Sequence, residues 1–157
     1  MPRDPIQDAT PDAIALARAL LAQPHAALAV TDADGTPAIS RIAFGTSPAG
    51  PLTLISNLAP HFAALAANPA CALLLGEPGP KGDPLTHPRL MLKAAATFIA
   101  AADPARPALR DHWLATHPKA KLYIDFADFA FVRFTLVSAF LNAGFGKAHR
   151  LDPETLL

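Results

Sequence analysis

The sequence predicts a mixed α+β domain made mainly of strands: a small antiparallel barrel of six strands carrying three helices. Three observations predict it. Short apolar runs are separated by turn-forming Asp, Asn, Gly and Pro. Helix-type patterning is confined to three places: the start, one hairpin, and the approach to the last strand. No internal repeat or heptad overlies this order.

The elements follow in turn. Residues 1–9 read as a flexible arm and residues 10–157 as one domain. Thr10 is a helix N-cap and Pro11 the first helical residue. Ile14, Leu16, Leu20 and Leu21 give that helix an apolar face, and Gln23-Pro24 stops it. From His25 the period changes to that of a strand over 25–31, closed by the turn Thr31-Asp32-Ala33-Asp34-Gly35. Strands over 37–45 and 52–56, joined by Ser47-Pro48-Ala49-Gly50, make residues 25–56 a meander. An alanine-rich helix covers 60–68 and a fourth strand 70–76. Residues 76–88 carry three glycines and four prolines, so they form an irregular loop. A fifth strand spans 90–99. Asp103-Pro104 opens a helix to about Thr116, with Leu109 and Trp113 on one face. The last strand, 129–141, alternates strongly and ends in Asn142-Ala143-Gly144-Phe145-Gly146.

Hydrophobic residues make up 52% of the 157 residues and charged residues 17%, with thirteen basic residues balancing thirteen acidic ones. That balance points away from nucleic acid and anionic membranes, and the apolar excess points to a surface hidden in an oligomer. No run is long enough to span a bilayer, and the polar, proline-broken N-terminus is unlike a signal peptide. With one cysteine, Cys71, inside an apolar run, a cytoplasmic location and a core thiol are expected.

The strongest local candidate for chemistry is the junction Ser56-Asn57-Leu58-Ala59-Pro60-His61. A helix N-terminus offers free N–H groups and partial positive charge to an anion such as a phosphate. Ser56, Asn57 and His61 add donors, and Arg41 from the preceding hairpin adds a guanidinium. The alternative is that Asn57 caps the helix and His61 is merely solvated. Arg89 and Lys93 share one strand face and could flank an anionic ligand or a partner subunit. The histidines form no metal-ligand spacing, and His149 alone is a candidate axial ligand. Asp125 and Asp128 read as strand-entry caps. Neither a Gly-x-Ser-x-Gly elbow nor a dinucleotide-binding glycine motif is present, so no catalytic residue is assigned.

Several stretches together resemble the pyridoxamine 5′-phosphate oxidase-like FMN-binding split-barrel family, closest to its haem-utilisation branch. They are Ile39-Ser40-Arg41-Ile42-Ala43, the 56–61 junction with Leu65-Ala66-Ala67-Asn68-Pro69, Gly82-Asp83-Pro84-Leu85 through Leu90, His117 through Phe129, and Asn142 through Ala148. The resemblance implies a homodimer of six-stranded antiparallel split β-barrels with FMN at the interface. It carries cofactor binding to Arg41, Ile42, Ala43, Ser56, Asn57, His61 and Arg89, and implies an FMN-dependent oxidoreductase or flavin carrier. Haem binding on the same barrel, or a barrel without cofactor acting as an interaction module, are the alternatives. The chain departs from the pattern at Phe62, where a hydroxyl residue is usual, and at Ala94-Ala95, where a Gly and a cation are usual. Each lost charge-assisted bond would cost a phosphate about 1–3 kcal/mol.

Overall fold

Helix α1 (Pro11–Leu21) forms as its sequence directs: Thr10 Oγ1 accepts the Ala13 N–H at 3.1 Å, and Ala13, Ala17, Leu20 and Leu21 are buried. In the computed structural model, which describes residues 4–157, it covers one face of a single sheet. The strands are β1 (Ile6–Gln7), β2 (His25–Thr31), β3 (Pro37–Ala43), β4 (Gly45–Ser47), β5 (Gly50–Ser56), β6 (Ala70–Leu75), β7 (Arg89–Ile99), β8 (Phe129–Asn142) and β9 (Ala148–Leu151). Helices α2 (Pro60–Ala67) and α3 (Arg106–Thr116) complete the α+β fold.

The ladder runs β1-β9-β8-β7-β6-β2-β3, and β5 pairs with β8 and β4. The described residues thus form nine strands in one sheet that does not close into a barrel, where a six-stranded barrel was expected. The expected strand 37–45 breaks at Phe44, whose N–H turns away to the Pro24 carbonyl (2.9 Å) while its ring is fully buried. The expected meander ends there too. β3 stays on β2, while β5 crosses to β8 in the register Leu54↔Phe131. Of the expected arm, residues 1–3 lie outside the described residues, and Ile6–Gln7 pair in parallel with Ala148–His149. Helix α3 starts two residues later than expected, because Asp103 Oδ1 accepts the Ala105 N–H and closes a turn first.

Alternation sorts the strands into two faces. Leu28, Ile42, Leu73, Leu90, Leu92 and Leu141 point inward to the main core with α1 and α2. A second core holds Trp113, Phe131, Leu52, Leu54 and Ile124 beneath α3. The opposite, outward face is nearly free of covering helix. Across it the register aligns Arg41–Ala27–Leu74–Met91–Phe140–Arg150 and, one row over, Ile39–Ala29–Ala72–Lys93–Ser138. An irregularity between Lys93 and Ala94 leaves Val137 out of register and 66% exposed.

Candidate functional site

The residues expected to form one anion site fall into separate groups. Alternation along β3 places Arg41 outward, whereas Ser40, opposite inward Leu28, meets His61 of α2 (Oγ to Nδ1, 3.1 Å). Arg41 and His61 therefore lie on opposite sides of the same strand. Ile42 is buried in the main core, and the Ala43 carbonyl accepts the Thr53 hydroxyl at 2.6 Å.

Arg41 borders a cavity of about 440 Å³ with Gln23, His25, Ile39, Leu74 and Glu77. Glu77 Oε1 is 3.2 Å from His25 Nε2 and 3.9 Å from Arg41 Nη2. Sequence reasoning missed His25 and Glu77. The first was read only as a strand start, and the second lies in a loop whose path no periodicity foretells. The loop leaves β6 at Gly76, whose N–H is held by Gln23 Oε1 at 3.2 Å. It returns past His87, whose Nδ1 accepts the Gly79 N–H at 3.0 Å; Nε2 therefore carries the proton and donates to the Lys81 carbonyl at 2.8 Å. Arg89, outward at the end of β7, donates to the Leu85 carbonyl at 3.0 Å.

The β5–α2 junction differs from expectation. Ser56 Oγ donates to Asp128 Oδ2 at 2.7 Å, and the Asn57 N–H donates to the Asp128 carbonyl, also at 2.7 Å. Asn57 does not cap α2; Ala59 occupies the N-cap and provides no side-chain bond. Asp125 forms a two-bond pair with Arg110 (2.7 and 2.6 Å), which holds its carboxyl below the usual carboxylate value. Phe62 packs edge-on against Phe98, with ring centroids 4.7 Å apart. Cys71 is half-buried, and burial pushes its thiol up to about 11, as expected of an inert core residue.

His149 is corrected as an axial-ligand candidate. It points inward opposite Leu141, is 6% exposed, and its Nδ1 donates to the Asp8 carbonyl at 2.9 Å. A ligand on the outward face cannot reach it.

Burial lowers the His61 value from the usual 6.5. The folded state therefore favours the neutral ring, and the unfolded chain takes up the proton first. His61's contribution is complete above the unfolded value and is lost as pH falls through 6.5 toward the lower folded value. His61→Gln is expected to lose less stability than wild type between about pH 7.5 and about pH 5.5, measured by urea denaturation. An unchanged difference would show that His61 is not the group responsible.

Set against this geometry, the comparisons agree on the fold. The family model described as pyridoxamine 5′-phosphate oxidase matches residues 14–142. Among curated proteins, the chain is 35% identical over 137 residues to the chloroplast protein "Non-canonical heme oxygenase HOZ" of Arabidopsis thaliana, covering 76% of this chain and 40% of that protein. A heme binding protein from Mycobacterium smegmatis superposes with a TM-score of 0.83 at 25% identity, over 94% of this chain and 61% of its own. Campylobacter jejuni ChuZ superposes at 0.84 with 20% identity, over 97% and 63%, a likeness of fold alone. This chain thus spans 40% to 63% of the lengths of these proteins. No helix among the described residues is long and apolar enough to cross a membrane. With its family model matched along most of its length, the chain belongs to the pyridoxamine 5′-phosphate oxidase family.

Proposed function

We propose that this protein binds haem on the outward face of its sheet, between two copies of the chain. One observation carries the reading: the apolar strip Ala27, Leu74, Met91 and Phe140 is bordered by Arg41, Arg89, Lys93 and Arg150. Haem is a flat apolar ring bearing two carboxylates, and this face offers a flat apolar bed with cations at its margins. The names of the chloroplast relative and the mycobacterial structure support haem as the ligand class.

The second copy answers two needs. Ile39 (73% exposed), Val137 (66%) and Leu74 (41%) leave an apolar patch facing water, and a ring resting on one sheet would leave its other side wet. The homodimer of the resemblance removes both costs. β3 and β4, parted only by Phe44, then act as one bent strand linking β2 to β5, which is the six-stranded split-barrel reading of these pairings. The lone thiol Cys71 fits a cytoplasmic setting.

Bound haem supplies iron-centred redox and oxygen chemistry. The chain's part is to seat the ring on Leu74, Met91 and Phe140, to hold the carboxylates with the marginal cations, and to exclude water by pairing. FMN, the cofactor first expected, is the second reading, supported by the family and by the same flat face, with an oxidoreductase activity to match. Against it, the Ser56 hydroxyl and the Asn57 backbone N–H are bonded to Asp128, and Arg41 lies across β3 from His61.

Hemin titration of wild type and Leu74→Glu tests the proposal. Wild type is expected to give a saturable Soret shift and a dimer mass. Leu74→Glu should become monomeric by light scattering and lose hemin affinity by about tenfold or more, with its far-ultraviolet spectrum unchanged. Equal hemin affinity in the two proteins would overturn the placement on this face.

A further inference from the structure

The resemblance locates a flavin phosphate at the β5–α2 junction, and the residues there do not fit that group. A phosphate site needs free donors and positive charge. Here the Asn57 N–H bonds the Asp128 carbonyl, the Leu58 N–H bonds Ser56 Oγ at 3.2 Å, the Ala59 N–H bonds the Ser56 carbonyl, Pro60 has no N–H, and the Phe62 N–H bonds the Ala59 carbonyl. Among the backbone N–H groups from Asn57 to Phe62, only that of His61 is left, beside the Asn57 side-chain amide. The Ser56 hydroxyl is turned to the Asp128 carboxylate at 2.7 Å. Among the described residues, Asp128 has no Lys, Arg or His ion-pair partner. A phosphate approaching the Ser56 hydroxyl meets the Asp128 carboxylate already bonded to it.

We propose that Asp128 is a specificity-determining residue: it occupies the anion position of the family's junction from within the chain and closes it to a cofactor phosphate. Asp128 sits one residue before β8, the strand that carries Phe131 into the second core, and its carboxylate is held by the Ser56 hydroxyl. The consequence for ligand choice rests on the reading that the outward face holds a planar cofactor. Such a cofactor is selected by its ring and by the outward cations rather than by a phosphate tail.

FMN and riboflavin differ only by the phosphate, so they are the probes. Each is titrated by flavin fluorescence into wild type, Asp128→Asn and Asp128→Ala, with hemin titrated alongside. Wild type is expected to bind FMN no more tightly than riboflavin. In Asp128→Asn, which keeps a partner for Ser56, the preference for FMN over riboflavin should rise by about tenfold or more, with hemin affinity unchanged. Asp128→Ala checks that the gain comes from lost charge rather than a new amide. Preference for FMN in wild type overturns the inference. So does an unchanged preference in both variants, including no binding of either flavin. Hemin failing to bind wild type overturns the cofactor reading instead, so the two failures are separable.

Discussion

Trp113→Ala is expected to cost about 3–5 kcal/mol of stability, a large part of the roughly 5–15 kcal/mol that holds a domain together. Trp113 is 1% exposed at the centre of the second core. Its indole lies edge-on to Phe131 with centroids 6.0 Å apart, and stacks on His117 at 4.0 Å and 7°. Gly45 packs onto the same ring so closely that a Cβ there would lie 3.1 Å from Trp113 Cζ3, which leaves little room for collapse around a cavity. Urea denaturation followed by circular dichroism reads the effect. Trp113→Phe should cost clearly less, because the buried Nε1–H has no acceptor and its removal leaves no polar group stranded. Equal losses in the two variants would mean that ring volume is not what holds α3 to β5 and β8.

Gly76→Ala is expected to cost at least about 3 kcal/mol and to disorder the loop that begins there. Gly76 has φ +114°, and a Cβ would lie 2.4 Å from the Pro88 carbonyl oxygen and 2.9 Å from Arg89 Cα. Both are backbone atoms that cannot rotate away. The neighbouring Glu77 would shift with the loop and release His25 and Arg41. Gly35→Ala is the control. It shares a positive φ (+83°) but meets nothing within 4 Å, so only the conformational cost, about 1 kcal/mol, should remain. Thermal denaturation of the two variants separates the clash from the dihedral.

The strands and helices were legible where local chemistry decides them. Thr10-Pro11 marks the start of α1, Asp34-Gly35 marks the first hairpin, and Leu109 and Trp113 share a buried face of α3. What was hidden depends on distant partners. Nothing near Phe44 says that its N–H will bond the Pro24 carbonyl and split one strand into two. Strand β1 is too short for any period, and it exists because β9 offers a free edge.

The candidate site shows the same division. The sequence singles out the 56–61 junction as a concentration of donors, but two of them, the Ser56 hydroxyl and the Asn57 N–H, are taken by Asp128, which lies 72 residues from Ser56. It names Arg41 and Arg89 as cations. That they border an apolar strip follows only from the register of β2, β3, β6, β7 and β8. His149, attractive as an isolated histidine near the end, is turned inward by its pairing with Leu141.

In the proposed arrangement two copies of this 16.4 kDa chain enclose haem on their outward sheet faces. Sedimentation velocity of wild type with hemin, followed in the Soret band, tests it most directly. A Soret-absorbing boundary with the mass of two chains is expected. Hemin that fails to cosediment, or that travels with a single chain, would contradict it.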